Sequence, residues 1–243
     1  MIRLKIIGLQ TGLPRTLGKA DAMEPMDREW TTGFFKESVD GVRQVTRLGI
    51  EGDGQADLVH HGGPGKAINV YPGEHYAGWA EELGFTLHAG AFGENFTTTG
   101  LTEADVCVGD VFRTGDLIVQ VSQPRQPCWK LSRRWRIKDL AARVERTGRT
   151  GWYLRVLNEG TIQAGAVLEL IERAAPNWSI AAANQVMHHR QQDAAAALAL
   201  AACPGLSASW NTSLSRRATI GELDRNARLN GPPSSSSRPG TGM

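Results

Sequence analysis

Short stretches in which apolar and polar residues alternate recur along the first 175 residues of the chain. Alternation with a period of two is typical of strands that bury one face. The tripeptide Thr114-Gly115-Asp116 separates two such stretches and is a favourable hairpin turn. Residues 11–34 are rich in turn formers, and we expect an irregular excursion with a short hairpin there. The predicted strands lie at 2–8, 38–48, 66–71, 92–97, 108–113, 117–121, 152–157 and 166–172.

Helical spacing of apolar residues interrupts this pattern and later replaces it. Pro72 is suited to the first turn of a helix, and Trp79 and Leu83 then fall on one apolar face that we expect in the core. From Trp178 onward the strand pattern stops and alanine-rich segments begin. Helices are predicted at 72–83, 129–136, 138–147, 180–189, 193–202 and 207–220.

These elements predict a mainly β fold with two structural units. Many short strands with a turn about every ten residues are typical of a closed β-barrel with a few attached helices. We assign the barrel domain to residues 1–175 and a small three-helix domain to residues 176–229. Residues 230–243 are rich in proline and serine and cannot bury enough apolar surface to order, so a disordered tail is predicted.

Composition excludes several classes of protein. The 243 residues are 41% hydrophobic, which is enough for a sizeable core. The formal net charge is only +2, and no extended basic patch indicates binding to a nucleic acid polymer. No run approaches the roughly 20 apolar residues of a membrane-spanning helix, and residues 1–11 lack a secretory signal. A cytoplasmic protein without membrane or nucleic-acid partners is expected.

The three cysteines are widely separated and form no Cys-x-x-Cys pair, which favours a reducing compartment. Cys107 and Cys203 are expected to be packing residues. Cys128 differs from them because it closely follows the strand predicted at 117–121, in the segment Ser-Gln-Pro-Arg-Gln-Pro-Cys-Trp-Lys. Its two preceding prolines forbid regular strand pairing and favour extended backbone, so we expect a stiff, projecting loop.

Positive charge flanks Cys128 on both sides. Arg125 and Lys130 would stabilise a thiolate over a thiol, and a thiolate is a nucleophile or a metal ligand. The alternative is that Cys128 is a small buried apolar residue, which is the commoner role of an isolated cysteine. The local pattern alone leaves both interpretations open.

Residues 49–65 combine Asp53, Asp57, His60 and His61 with glycines that let a backbone approach a ligand closely, although ordinary loops have a similar composition. In a strand-like setting, adjacent histidines point to opposite faces, so at most one of them is expected to face a given cavity. Asn95 can donate and accept hydrogen bonds at once, which suits the edge of a heterocycle but also the capping of a turn.

A basic segment follows Cys128 and contains Arg133, Arg134, Arg136 and Lys138. Such a run is typical of a solvated helix face. Its closeness to the thiol also allows a second interpretation, in which these side chains bind the phosphate tail of a ligand.

A resemblance to a known family rests on motifs that occur in a fixed order. They are Gly52-Asp53, His60-His61-Gly62-Gly63, Tyr71-Pro72, Glu74-His75-Tyr76, Phe92-Gly93-Glu94-Asn95, Gly109-Asp110 and the cysteine segment 119–131. Together they resemble the MOSC family, named for the C-terminal domain of molybdenum cofactor sulfurases, and in particular its YiiM-like branch. The resemblance spans about residues 2–173, and the helices that follow resemble the three-helix extension of that branch.

For the fold, the resemblance implies a MOSC-type β-barrel with mixed strand pairing and a cysteine at the mouth of a cleft. For the chemistry, it implies a molybdenum cofactor, in which a pyranopterin dithiolene carries the metal and Cys128 supplies a further sulfur ligand. Binding of pyridoxal phosphate is not expected. The implied cofactor-binding residues are His61, Lys66, Asn95, Arg125 and Lys130, and the implied catalytic residues are Cys128, Glu94 and Asp53.

The YiiM-like branch is associated with reduction of N-hydroxylated compounds, such as 6-hydroxylaminopurine-type base analogues, to the amines. The sequence has no dinucleotide-binding, iron-sulfur or flavin motif. A separate electron-donor reductase is therefore expected as a partner, and a homodimer is also considered.

The sequence is also compatible with functions other than reduction. The family includes members thought to carry sulfur as a cysteine persulfide, a role open to Cys128. A non-catalytic carrier of the molybdenum cofactor is another alternative. Hydrolysis by a nucleophilic cysteine ranks lower, because it needs an aligned base and the sequence cannot place His61 or His75 within reach.

Overall fold

The computed structural model describes residues 1–57, 62–221 and 224–231. Most of the predicted strands are present with altered ends, but the strand predicted at 38–48 is interrupted at residues 39–42. The strands are β1 (Arg3–Thr11), β2 (Arg15–Leu17), β3 (Trp30–Thr32), β4 (Glu37–Ser38), β5 (Arg43–Thr46), β6 (Gly49–Ile50), β7 (Ile68–Pro72), β8 (Phe96–Thr99), β9 (Val111–Thr114), β10 (Leu117–Pro124), β11 (Trp152–Asn158), β12 (Gly160–Ile162) and β13 (Val167–Glu172).

The helices lie close to their predicted positions, except for the last one, which was not predicted from the sequence. They are α1 (His75–Leu83), α2 (Trp129–Trp135), α3 (Leu140–Thr147), α4 (Ile180–Asn184), α5 (Ala194–Ala201), α6 (Ala208–Ile220) and α7 (Asn226–Asn230). The prediction that a helix begins at Pro72 is wrong, because Pro72 is the last residue of β7 and pairs with Thr98 of β8. Trp79 is fully buried, as the apolar stripe predicted.

Seven strands close into a barrel in the order β1, β8, β7, β11, β10, β9 and β13, and β13 pairs with β1 to complete the ring. The pairing of β7 with β8 is parallel and the other barrel pairs are antiparallel. The predictions of a mainly β fold and of mixed strand pairing are confirmed. Buried residues such as Ile6, Phe96 and Phe112 fill the interior.

Strand β10 determines where the cysteine segment leaves the barrel. Its inward residues Leu117, Val119 and Val121 are fully buried, as the alternation predicted. The expectation that the prolines prevent pairing is wrong for Pro124, which still pairs with Trp152 of β11. A register shift between Val121 and Gln123 leaves an extra residue in β10, and this bulge accommodates the proline at the strand end.

The predicted short hairpin in residues 11–34 is formed by β2 and β3. This excursion packs on α2, which begins immediately after Cys128. Arg133 of α2 donates hydrogen bonds to the carbonyl oxygens of Met26 (3.1 Å) and Pro25 (2.8 Å). The rings of Trp30 and Trp129 lie 5.7 Å apart. Segments distant in sequence therefore enclose the cysteine segment together.

The C-terminal helices share one apolar core with the barrel. Ile180, Trp210 and Leu214 belong to the same buried cluster as the barrel residues. A π-helical turn, Gln185–His189, continues α4, and the buried Arg217 donates to two carbonyl oxygens of that turn. The domain boundary between residues 175 and 176 stays a prediction, and most of the predicted tail, 232–243, lies outside the described residues. In the described ranges no helix has the length and apolar character needed to cross a membrane.

His188 lies in the π-helical turn with only 5% of its surface exposed, and burial lowers its pKa from 6.5 to about 3. Between these two pH values the unfolded chain binds a proton that the folded protein does not, so stability falls as the pH decreases. We expect His188 to contribute a loss of roughly 1 kcal/mol per pH unit between about pH 6 and pH 4. Urea denaturation at several pH values should show a shallower loss for His188→Gln.

The neighbouring His189 provides the control for this experiment because its side chain is exposed. His189→Gln should leave the pH dependence of the free energy of unfolding unchanged. Equal slopes for the wild type and His188→Gln would contradict a neutral, buried His188.

Candidate functional site

One cavity beside the barrel brings Cys128 together with most of the predicted site residues. It has a volume of about 610 Å³, part of which is open to solvent. Among the described residues, the predicted members of its wall are Asp53, Lys66, Asn95, Arg125, Cys128 and Lys130. The wall also includes Phe34, Lys36, Asn69, Phe92 and Tyr153, which the sequence analysis did not assign to the site.

Cys128 reaches the cavity from the residue that precedes α2. Its backbone is extended, with φ −131° and ψ 167°, as expected after a proline segment. The expectation of a projecting loop is wrong, because only 5% of Cys128 is accessible. The reason is that β10 continues to Pro124 and α2 begins at Trp129, which leaves a short connection that cannot project. Cys128 is therefore nearly buried, but it still belongs to the wall of the cavity.

Arg125 places a buried cation in the same cavity wall as Cys128. The residue is 4% exposed, and its guanidinium carbon lies 5.5 Å from the centre of the Phe34 ring. In the part of the chain that the structure describes, its Nη1 atom has no hydrogen-bond partner. An unpaired N–H of a buried guanidinium is costly, and an anion in the cavity would satisfy it.

Lys36 and Asp53 form a buried ion pair in the cavity wall. Their side chains are 6% and 1% exposed, and Lys36 Nζ contacts Asp53 Oδ1. The same oxygen accepts a hydrogen bond from the backbone N–H of Gly12 at 3.0 Å. Asp53 Oδ2 has no partner within the described ranges. Burial lowers the pKa of Lys36, and the charge of Asp53 opposes that shift.

Lys36 could not be assigned to the site from the sequence, because its segment carries no periodic pattern and its partner Asp53 is distant along the chain. Its position directly after two aromatic residues, Phe34 and Phe35, is the one local signal, since cations next to aromatic residues are often drawn into partly buried sites. That signal is too common to identify a site by itself.

Two asparagines, Asn69 and Asn95, line the cavity, although only Asn95 was predicted from the sequence to belong to the site. Both polar atoms of the Asn95 side-chain amide bind to the backbone. Oδ1 accepts a hydrogen bond from Asn69 N (3.0 Å), and Nδ2 donates one to Gln10 O (3.2 Å). Asn69 donates through Nδ2 to Gly93 O (3.2 Å), while its Oδ1 lacks a partner among the described atoms. Asn95 therefore shapes the wall, and Asn69 offers an acceptor to a ligand. A polar residue between the buried Ile68 and Val70 was the available signal.

Glu94 lies beneath the cavity wall and is fully buried. Its carboxylate accepts hydrogen bonds from the N–H groups of Gly90 (2.6 Å) and Phe92 (3.0 Å) and from Thr97 Oγ1 (2.8 Å). Tyr76 Oη donates to the same carboxylate, and burial raises the pKa of that phenol. This network holds the turn that carries Phe92. The predicted catalytic role of Glu94 stays a prediction, whereas its positioning of the wall is evident from these contacts.

Two lysines complete the basic part of the wall. Burial lowers the pKa of Lys66, and the charge of Asp57 partly offsets this effect. Lys130 donates to the carbonyl oxygen of Thr31 at 2.9 Å and lies 5.9 Å from the centre of the Trp129 ring. With Lys36 and Arg125, four basic side chains face two acidic ones, Asp53 and Asp57, among the described wall residues. The cavity thus favours an anionic ligand.

Several other candidate residues do not meet this cavity. His60 and His61 lie outside the described residues. His75 Nε2 pairs with Glu103 Oε2 at 2.7 Å and does not line the cavity, which gives Cys128 no aligned base from this residue. Of the basic segment, Arg134 donates to Phe34 O and Gly90 O, and Arg136 pairs with Asp27. These groups are used to hold the excursion on α2.

The described residues of this site offer few side chains that could bind a metal ion. No cluster of three or more His, Cys, Asp or Glu side chains that could hold a metal ion occurs in residues 1–57, 62–221 and 224–231. Cys107, Cys128 and Cys203 are all free thiols. A single thiolate cannot hold a metal without further ligands, so a metal at Cys128 would have to bring most of its coordination with it.

Comparison with known proteins gives consistent matches over most of the chain. The MOSC domain model matches residues 57–169, and the model for the YiiM-like 3-alpha helix domain matches residues 178–218. An uncharacterized protein of Bacillus subtilis, YflK, is 44% identical over 205 residues, covering 84% of this chain and 93% of its own. A Gibberella moniliformis protein named as a reductase is 37% identical over 166 residues, which are 67% of this chain and 29% of that protein.

A solved structure supports the same relationship. The crystal structure of YiiM from Geobacillus stearothermophilus superposes with a TM-score of 0.74 at 40% sequence identity. The match covers 88% of this chain and 99% of that protein. The barrel and the helices after it therefore occur together in a protein of similar architecture.

Proposed function

Because the chain belongs to the MOSC family and carries the three-helix domain of its YiiM-like branch, we propose that it is a molybdenum-cofactor-dependent reductase of N-hydroxylated compounds. Cys128 is the proposed protein ligand of the molybdenum. The observation that carries the proposal is that Cys128 and Arg125, whose guanidinium has an unpaired N–H among the described residues, line the same cation-rich cavity.

The described residues fit an anionic dithiolene cofactor. Its negative charge would be offset by Arg125, Lys66 and Lys130, which line the same wall. The unpaired acceptors Asn69 Oδ1 and Asp53 Oδ2 would receive hydrogen bonds from N–H groups of the cofactor or substrate. When bound, the cofactor supplies the two-electron chemistry that no side chain of the cavity can perform.

The side chains of this protein can supply protons to the proposed reaction. Reduction of a hydroxylamino group to an amine consumes two electrons and two protons and releases water. The Lys36 ammonium holds a proton in the same cavity as Cys128, and burial makes that proton easier to release by lowering the pKa of Lys36. Asp53 orients the ammonium through its ion pair. We therefore assign proton supply to Lys36 and its orientation to Asp53.

Electrons would come from a separate reductase. The relative named as a reductase is a longer protein in which this region forms only a part, and its name supports a reductive role for the shared region. The three free thiols agree with a reducing compartment such as the cytoplasm.

The proposal is tested on protein purified from a bacterial host that synthesises the molybdenum cofactor. Elemental analysis should find about one molybdenum per chain, as expected for a site with one cysteine ligand. With reduced methyl viologen as the electron donor, the protein should convert 6-hydroxylaminopurine to adenine. Protein from a host without pterin synthesis should be inactive and is the matched control.

Other outcomes would favour the alternatives. A mass increase of one sulfur atom on Cys128 in protein without molybdenum would indicate a sulfur carrier and contradict the proposal. Molybdenum-loaded protein that consumes no N-hydroxylated substrate, but passes its cofactor to an apoenzyme, would indicate a cofactor carrier.

A further inference from the structure

Helix α7 and the glycine that follows it touch the two neighbours of Cys128 in the sequence. Arg228 of α7 donates from Nη1 to the carbonyl oxygen of Pro127 at 2.5 Å. Gly231 lies on the other neighbour, because a Cβ atom built on it would be 3.4 Å from the indole of Trp129. This contact joins a segment about one hundred residues away to the connection that carries the thiol.

The other side of Arg228 is anchored to the core. Its Nη2 atom pairs with Glu145 Oε2, and Arg225 Nη1 contacts Glu145 Oε1 at 2.5 Å. The Glu145 side chain is only 5% exposed and belongs to α3. One nitrogen of the Arg228 guanidinium group contacts a buried carboxylate, and the other donates to a backbone carbonyl. These two contacts together fix the plane of the group.

The charge of Glu145 persists despite its burial. Burial by itself would raise its pKa, but the guanidinium groups of Arg228 and Arg225 hold the pKa below its ordinary value. His188 Nδ1 lies 3.3 Å from Glu145 Oε2 and is neutral near pH 7. Glu145 is therefore a stable anchor for Arg228 at neutral pH.

We propose that Arg228 is a positioning residue, which links the Pro127 carbonyl to Glu145 and thereby holds the Cys128 thiol at the cavity wall. The connection between β10 and α2 needs such a restraint, because Pro127 has no N–H to donate and Cys128 has no side-chain capping bond to α2. The inference rests on the proposed function only in treating Cys128 as the reacting group.

The experiment measures the rate at which iodoacetamide alkylates each cysteine in the full chain, by mass spectrometry of the peptides. Loss of a charge-assisted hydrogen bond in Arg228→Ala should raise the alkylation rate of Cys128 roughly tenfold. Arg228→Lys keeps one of the two contacts and should give an intermediate rate. Arg216→Ala, which removes an exposed arginine of α6, is the matched control and should leave the rate unchanged.

Cys107 and Cys203 act as internal references, because both are buried, one beside the barrel and one after α5. Their alkylation rates should stay at the wild-type value in Arg228→Ala. An unchanged rate at Cys128, or a parallel increase at all three cysteines, would overturn the proposal, since the second result means general destabilisation.

A second measurement separates this inference from the proposed function. Molybdenum-loaded Arg228→Ala should lose its metal about tenfold faster on dilution than the wild type does, as expected for a residue that supports a ligand. Wild-type protein without molybdenum would contradict the proposed function, while the alkylation rates would still decide the role of Arg228.

Discussion

Replacement of Cys128 by serine is expected to abolish both molybdenum retention and reduction of the N-hydroxylated substrate. Serine is close in size to cysteine, so the buried position at the cavity wall is preserved, but the alcohol does not ionise near pH 7 and is a poor ligand for a soft metal. The loss should exceed the roughly 10- to 100-fold effect of removing an outer-sphere partner. Elemental analysis and turnover with reduced methyl viologen measure the two effects.

Cys203→Ser is the matched control for this substitution. Cys203 is also a buried, free thiol, and burial raises its pKa to about 11, so it stays a neutral packing residue. This variant should retain molybdenum and activity, with at most a modest loss of stability. Full activity of Cys128→Ser would remove the basis of the proposed function.

Glu94→Ala is expected to lower the free energy of unfolding by about 4 kcal/mol, because it leaves several buried donors without an acceptor. The affected donors are the N–H groups of Gly90 and Phe92 and the hydroxyl groups of Tyr76 and Thr97. Since Phe92 lines the cavity, ligand binding should weaken as well. Urea denaturation monitored by tryptophan fluorescence gives the change in stability.

Two further variants define the origin of that loss. Glu94→Gln retains one acceptor oxygen and should lose about half as much stability as the alanine variant. Glu81→Ala removes an exposed carboxylate of α1 and should stay within about 0.5 kcal/mol of the wild type. A Glu94→Ala protein as stable as the wild type would refute the structural role of the network.

The fold was largely predictable because its strands have local signatures. The alternation in β10 and the turn before it identified both strands of the hairpin, and the apolar stripe of α1 identified Trp79 as a core residue. Strand ends were less predictable. Pro124 remains paired through a bulge, and Pro72 belongs to a strand because the parallel neighbour β8 stabilises it there.

The candidate site was predictable where its residues follow one another along the chain. Arg125, Cys128 and Lys130 occupy one segment and meet at one cavity. Lys36 reaches the same cavity from the segment between β3 and β4, and Asn69 reaches it from β7, so their contribution depends on contacts between distant segments. The link from Arg228 to Pro127 has the same origin, because no pattern near Arg228 indicates its partner.

The ring of strands is closed by β1 and β13, with Arg3 opposite Glu169. During synthesis on a ribosome, β1 therefore cannot pair with β13 until the end of the barrel sequence has been translated. Pairing between strands so far apart in the sequence is slow, and until it occurs the unpaired edge of β1 can form incorrect pairs with other strands. A nascent chain would consequently have no complete cavity for a ligand until translation of the barrel is complete.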